Sequence, residues 1–202
     1  MKLLRILLII LISLVLLNCT KDKKKEEPET LIFIVDSLLI GKRYTNEEIG
    51  VSFCPPKEWN QLSAELMRSI EQSLQEMEDS SSVDIILQNV FLNQKNSCIC
   101  FLSTFQKTMP AAQIRNTYLT ELYAGDIQGS INEGSYMYNG VNIRQIIHVQ
   151  DDQVTIKLVC ISDDEHIFML DYIVPSKFYE QYIRSIESSI GTLIKNKRRE
   201  NK

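Results

Sequence analysis

The amino-acid sequence predicts an α+β fold, a central antiparallel β-sheet flanked by helices. Most extended segments are joined by short polar turns, which allow antiparallel pairing but leave no room for the crossovers that parallel strands need. The clearest turn is Asn139-Gly140 between two extended runs, because both residue types tolerate positive φ. Other segments carry apolar residues three and four positions apart, the spacing of helices that bury one face. Helices that cover an antiparallel sheet satisfy both patterns.

The first part of the chain predicts two extended segments and one helix. Residues 31–40 are apolar and rich in β-branched side chains, and they predict a strand. Residues 44–53 predict a second extended segment, which Pro55 and Pro56 end because proline cannot donate to a strand ladder. A helix is predicted between residues 60 and 78, and we expect its apolar face to pack on the sheet, although a partner-binding surface is the alternative. That face consists of Leu62, Leu66, Ile70, Leu74 and Met77.

The middle of the chain predicts a hairpin and a second helix. Residues 83–92 and 98–105 are strand candidates joined by a polar turn. Pro110 suits the first turn of the helix that follows, and Gly125 is a candidate terminator. The apolar face of this helix consists of Ile114, Tyr118 and Leu122.

The last part predicts three or four antiparallel strands and a terminal helix. Residues 136–150 form the Asn-Gly hairpin, and residues 154–160 alternate as a strand with one apolar face. Residues 167–174 are apolar on both faces, so this strand is predicted to be central. Ser176, after Pro175, is a candidate cap. The buried side of the final helix is expected to be Phe178, Tyr182, Ile186, Ile190 and Leu193.

The N-terminus has its own signature. Lys2 and Arg5 precede an apolar run from residue 6 to residue 17, about 12 residues against the roughly 20 that span a membrane. Cys19 follows, and the whole resembles a bacterial lipoprotein signal peptide, with Asn18 where that motif usually has a small residue. The resemblance implies cleavage before Cys19 and a lipid on Cys19 that anchors the protein to the membrane. An uncleaved membrane helix and an ordinary secreted protein are the alternatives.

The expected organisation follows from this signature. Residues 1–18 are the removed signal peptide, 19–30 the lipidated cysteine and a disordered charged tether, 31–195 a single domain, and 196–202 a basic tail.

The chain that remains after cleavage is acidic. Without Lys2 and Arg5, the 22 basic residues fall to 20 against 26 acidic residues, a net charge of −6. Nucleic-acid binding is not expected of such a chain, because phosphate contacts need clustered cations. The basic ends are expected to be solvated, with contact to anionic lipid headgroups as the alternative.

Two motifs resemble PsbP-like and Mog-type domains. Residues 44–53 (Tyr-Thr-Asn-Glu-Glu-Ile-Gly-Val-Ser-Phe) run into Pro55-Pro56-Lys57-Glu58-Trp59, and a strand ending at Pro175 precedes a helix that carries Ile-Glu-Ser-Ser-Ile at 186–190. The resemblance covers residues 44–193. It implies an α/β/α sandwich with a central antiparallel sheet, and a binding or assembly protein. It transfers no functional residue.

The sequence offers few candidate catalytic residues. His148 and His166 are the only histidines, and ordinary structural roles are expected for both. A metal site that joins them to Cys98 or Cys100 has no ligand spacing to support it. Phosphate loops, dinucleotide fingerprints and nucleophile elbows are missing from the sequence. No catalytic residue, metal or cofactor is therefore expected.

Four cysteines remain if Cys19 is lipidated, and their state is left open. Cys54, Cys98, Cys100 and Cys160 are either small buried apolar residues or, outside the cytoplasm, members of a disulfide across the sheet. No Cys-x-x-Cys occurs, so the thioredoxin-type signature is missing. Chemistry at one of them would require an exposed thiol with a lowered pKa.

The favoured function is a non-enzymatic interaction or assembly module of the cell envelope. It would be held by lipid at the cell membrane or outer membrane, outside the cytoplasm, and would bind another envelope protein. The alternative is a small-ligand-binding lipoprotein with a pocket between the sheet and a helix. Its candidate ligand contacts are Trp59, Tyr136 and Tyr138, which are otherwise expected to be core residues.

Overall fold

The computed structural model of the protein describes residues 29–77, 82–125 and 128–196. The predicted signal peptide, most of the tether and the basic tail after Asn196 lie outside these residues. The strands are β1 (Glu29–Thr30), β2 (Tyr44–Asn46), β3 (Val51–Phe53), β4 (Asn60–Gln61), β5 (Ile85–Asn93), β6 (Cys98–Phe105), β7 (Ser130–Tyr138), β8 (Val141–Val149), β9 (Gln153–Ser162), β10 (Ile167–Pro175) and β11 (Ile194–Lys195). The helices are α1 (Ala64–Met77), α2 (Ala111–Ala124) and α3 (Tyr179–Ile190).

Eight strands form one large sheet in the order β1-β7-β8-β9-β10-β6-β5-β4. Its pairs are antiparallel except β1 with β7, which is parallel and two residues long. Strand β10 lies between β9 and β6, with Leu170 opposite Leu158 and Leu102. The predicted central position of this strand is therefore confirmed.

A second sheet of three strands has the order β11-β3-β2. The predicted extended segment at 44–53 is in fact a short hairpin, β2 and β3, with Gly50 at a φ of +67° in its turn. The end of the chain returns to this hairpin, and Ile194 pairs with Ser52. The first and last parts of the domain thus share one small sheet.

The large sheet has a separate apolar core on each face, as a period-two alternation requires. On β9, Leu158 and Cys160 face the larger core, which also contains Ile186 of α3 and Phe53 of the small sheet. Val159 faces the other core together with Ile114 of α2. Helices therefore cover both faces, and the α+β arrangement expected from the sequence is confirmed.

The Asn139-Gly140 turn joins β7 and β8 as predicted. Asn139 has a φ of 48° and Gly140 a φ of 76°, the left-handed pair that a two-residue hairpin turn uses. The Asn139 side chain donates to the carbonyl of Leu193 at 2.8 Å, and the hydroxyl of Tyr138 donates to the carbonyl of Gly191 at 2.7 Å. The hairpin tip is therefore held against the chain just after α3.

A buried polar network holds the end of α3. The Ser189 hydroxyl donates to the Cys54 carbonyl at 2.6 Å and lies 2.9 Å from the hydroxyl of Tyr172. The Cys54 amide donates to the hydroxyl of Thr192 at 2.7 Å. These groups would be costly to bury unpaired, so the network fixes α3 relative to both sheets.

The segment at 31–40 is not the predicted strand. Pairing in the large sheet ends at Thr30, and Ile40 makes only an isolated bridge to Pro56. Between them the chain leaves the sheet edge and runs toward α3, where the Asp36 amide donates to the Ser188 hydroxyl at 3.2 Å. An apolar, β-branched run fits a strand, but here it has no neighbouring strand to pair with.

Two expectations about helices also need correction. The apolar face of α1 is not buried on the sheet where it is described, since Leu66 is 51% exposed and Ile70 is half-buried. Its main contact is β5, next to the last strand of the sheet, so little sheet lies under it. Ser176 does not cap α3, because a short 3₁₀ turn intervenes and the Ser176 hydroxyl donates to the Gln150 carbonyl at 3.2 Å.

Candidate functional site

The most unusual surface is an apolar strip formed by residues 31–38. Its inward side is fixed, because the Phe33 ring lies edge-on to Tyr138 at 4.9 Å between centroids and 5.9 Å from Tyr136. The strip also lies against Gly191, where an added Cβ would be 2.7 Å from the Phe33 Cβ and 2.8 Å from a Val35 methyl. The strip is therefore a packed part of the domain.

The outward side of the strip is apolar and exposed. Ile32 is 90% exposed, Ile34 is 91% exposed and Leu38 is 74% exposed. Single exposed apolar residues are common, but a contiguous apolar patch on an ordered segment marks an interaction surface. The alternation of Phe33 and Val35 inward with Ile32 and Ile34 outward is the pattern of a strand that lacks its partner.

The strip also presents main-chain groups. Within the described residues, the main chain of Ile32–Val35 makes no hydrogen bond, and the next contacts are those of the Asp36 and Leu38 amides. An open groove of about 670 Å³ lies between the strip and α3, where Arg184, Glu187 and Ser188 line it. The strip thus combines exposed apolar side chains with unpaired main chain.

The four remaining cysteines are free and buried. Burial raises the pKa of Cys98 to about 11 and raises those of Cys100 and Cys160 further. A thiol is nucleophilic as the thiolate, so none of these three is activated at neutral pH. The exposed reactive cysteine that thiol chemistry would require is not found among the described residues.

The two histidines lie in separate places. His148 is on β8, and its Nε2 lies 2.6 Å from the Gln128 carbonyl. His166 closes the β9–β10 turn, where its amide donates to the hydroxyl of Ser162 at 3.2 Å. No group of three His, Cys, Asp or Glu side chains within the described ranges is arranged to hold a metal ion.

Among the residues that the structure describes, no helix is long and apolar enough to cross a membrane.

Trp59 and Tyr136, two of the predicted ligand contacts, belong to the larger core, and the third, Tyr138, packs against it. Trp59 packs near Tyr172 and Tyr182, at ring separations of 6.1 and 5.8 Å. Tyr136 is buried beneath the apolar strip, and its hydroxyl donates to Gln145 at 2.9 Å. These three residues line neither the groove beside the strip nor a smaller cavity beneath α2.

A buried ion pair lies on the opposite face of the sheet, beneath α2. Lys157 of β9 and Asp171 of β10 are cross-strand neighbours, and the ammonium is 2.5 Å from Asp171 Oδ2. It is also 3.4 Å from the Met169 sulfur and 5.5 Å from the centre of the Tyr118 ring. Burial lowers the pKa of Lys157, but the charge of Asp171 and the hydrogen bonds raise it above its usual value, so this lysine stays charged.

A cavity of about 150 Å³ opens beside this ion pair, between α2 and strands β7 to β9. Leu122, Ile131 and Ile146 supply its apolar walls, and Lys157 supplies a cation; the other lining residues are His148, Gln150 and Thr155. A pocket between the sheet and a helix was the expectation for a ligand-binding protein. The structure has one, at a different place from Trp59, Tyr136 and Tyr138.

Sequence reasoning missed both of these features for identifiable reasons. The strip was predicted as a strand because its residues are apolar and often β-branched. Composition does not reveal whether a neighbouring strand is present to pair with it. Lys157 and Asp171 are single charges within apolar strands, and their direct pairing depends on the register of β9 with β10. A charge at an inward-facing strand position was the available signal.

No protein-family model matches the chain, and no curated protein matches its sequence. Among solved structures, it is similar to the solution structure of cyanobacterial PsbP (CyanoP) from Synechocystis sp. PCC 6803, with 13% sequence identity and a TM-score of 0.45. The match covers 75% of this chain and 90% of that one. Likeness at this level does not extend to a partner, a location or an activity.

Proposed function

We propose that the protein is a lipid-anchored, non-enzymatic interaction module of the cell envelope, held outside the cytoplasm by lipid on Cys19. The observation that carries the proposal is the apolar strip, with Ile32 and Ile34 about nine-tenths exposed on a segment fixed by Phe33. An ordered domain gains nothing from such exposure in water. A surface that a partner covers accounts for it.

The chemistry of the strip defines the expected partner. Unpaired main-chain groups need hydrogen-bond partners, and the hydrocarbon of a bilayer has none to offer. An extended segment of another protein supplies both main-chain pairing and alternate apolar side chains, as in recognition by strand addition. We therefore expect the partner to be an envelope protein that docks an extended apolar segment on residues 31–35.

The position of the strip in the chain fits a domain that is held at the membrane by lipid on Cys19. Leu31 is twelve residues after Cys19, and the intervening residues are mostly charged. A tether of that length reaches at most about 40 Å when fully extended. A domain held this close to a bilayer presents the strip to proteins of the same membrane.

The test is site-specific photo-crosslinking in intact cells that carry the full chain. A photoreactive side chain at Ile34 should cross-link to one defined envelope protein, whereas the same group at Ile86, an exposed strand residue 45% accessible on β5, should not. The Cys19→Ser form should lose both fatty-acid labelling and the cross-link. Retained labelling would refute the anchor, and equal products from Ile34 and Ile86 would refute the strip as a docking surface.

A second candidate function is small-ligand binding, which the cavity beside Lys157 favours. Ligand sites are typically concave, mostly apolar and supplied with a few convergent polar groups. Three aliphatic walls and one buried cation fit that description. The two functions are compatible, because the strip borders the larger core and the cavity lies on the other face of the sheet.

A further inference from the structure

The cavity beneath α2 offers one strong hydrogen-bond donor within an apolar wall. Lys157 lines it from the floor strand β9, Ile131 and Ile146 line it from β7 and β8, and Leu122 closes it from the helix. A cavity of about 150 Å³ has room for a molecule the size of benzene, the size that an engineered apolar cavity of that volume accepts. The ligand is therefore small.

The ion pair determines which head group suits the site. The charge of Lys157 is already balanced by Asp171, whose Oδ2 lies 2.5 Å from the ammonium. A second carboxylate at this point would face the Asp171 charge in a poorly solvated place, which is unfavourable. A neutral oxygen acceptor avoids that repulsion.

The ammonium has donor capacity for such an acceptor. A lysine has three N–H donors; one is directed at Asp171, a second interacts with Tyr118, and the third has only the Met169 sulfur, a weak acceptor at 3.4 Å. A carbonyl oxygen is a better partner than the sulfur. Its hydrogen bond would be charge-assisted and so stronger than a neutral one.

We propose that this cavity binds a small apolar molecule that carries one neutral carbonyl group, such as an amide or an ester, with the carbonyl oxygen on Lys157. The inference rests on the second candidate function and gives it a ligand class. It is independent of the apolar strip and of the lipid anchor.

The experiment is saturation-transfer NMR on the purified full chain, with the same buffer without protein as the blank. The probes are benzamide, benzoate and toluene, which share a ring and differ in the head group. We expect benzamide to bind about tenfold or more tightly than toluene, the range of a hydrogen bond to a charged group, and more tightly than benzoate. If benzoate binds most tightly, the proposal that the ligand carries a neutral head group is wrong. If none of the three probes binds, the proposal that the cavity is a ligand site is wrong.

Two variants localise the binding. Ile131→Trp fills the cavity while leaving both residues of the ion pair in place, and it should abolish benzamide binding. Ile86→Trp is the matched control, because Ile86 is likewise a partly exposed strand residue, 45% against 36% for Ile131, and it does not line the cavity. Equal binding by both variants would overturn the location.

A third variant tests the head-group contact. Lys157→Met with Asp171→Leu removes both charges and leaves no buried ion unpaired. It should retain toluene binding and lose the preference for benzamide. If the preference survives, the carbonyl oxygen does not rest on Lys157. None of these measurements depends on cross-linking, so the proposed ligand site and the proposed interaction module are tested independently.

Discussion

At the scale of single residues, Gly191 has a specific steric role. Its φ is −63°, a conformation open to any residue, so the reason for glycine is space rather than backbone freedom. Phe33 and Val35 occupy the volume that a Cβ would need. One missing methyl group therefore lets the strip lie against the end of α3.

Gly191→Ala should loosen the apolar strip. A Cβ at 2.7 Å from Phe33 forces the strip outward, and overpacking of this kind costs about 1–3 kcal/mol. Limited proteolysis within residues 31–38 should become faster. Gly41→Ala is the matched control, since its nearest contact would be an ordinary 3.4 Å; equal protease resistance in both variants would contradict the packing role.

At the scale of elements, short turns decide the register of the sheet. The Asn139-Gly140 hairpin was predictable because two adjacent residues that tolerate positive φ leave few other conformations for the loop. The β5–β6 hairpin, the central position of β10 and the buried face of α3 were predictable from periodicity for the same kind of reason, since each pattern is local. The strip and the exposed face of α1 were not, because exposure depends on which neighbours the fold provides.

Gly140→Val tests the turn. A β-branched residue at a φ of 76° should cost about 1–2 kcal/mol, the penalty of the left-handed region, and it should lower the urea midpoint of unfolding. Gly134→Ala, on the preceding strand with nothing within 4 Å of the added Cβ, is the control and should leave the midpoint nearly unchanged. A Gly140→Val midpoint equal to that of the control would contradict the assigned turn.

The candidate cavity was predictable only as a class of site. A sheet covered by a helix has a space in which a pocket can form, and the sequence indicated that much. Lys157 and Asp171 meet because of the register between β9 and β10, and the apolar walls come from a helix and two further strands. Contacts between distant segments of this kind are not encoded in any local pattern.

At the scale of the whole molecule, stability should decrease in alkaline solution. Burial raises the pKa values of the Cys98, Cys100 and Cys160 thiols and of the Tyr136 and Tyr172 hydroxyls. For Cys98 the value rises from 9.0 to about 11. Each group binds its proton more tightly in the folded state than in the unfolded state. Its contribution to the free energy of unfolding is therefore complete below the ordinary pKa and is lost as the pH rises through the raised pKa.

The urea midpoint should therefore decrease steadily between pH 9 and pH 11. Cys98→Ala removes one of these groups and should make the decrease shallower, when each protein is compared with its own midpoint at pH 8. A midpoint that stays level to pH 11, or an unchanged slope in the variant, would contradict this account.

The small sheet has a consequence for the timing of folding. Strand β11 is the last element of the described chain, yet it pairs with β3, and Thr192 bonds to Cys54 near the beginning. A growing polypeptide therefore lacks one wall of its larger core until residues 189–195 have been added. The domain becomes complete only at that point, so a chain cut short before Ser189 would remain an open intermediate and a substrate for chaperones and proteases.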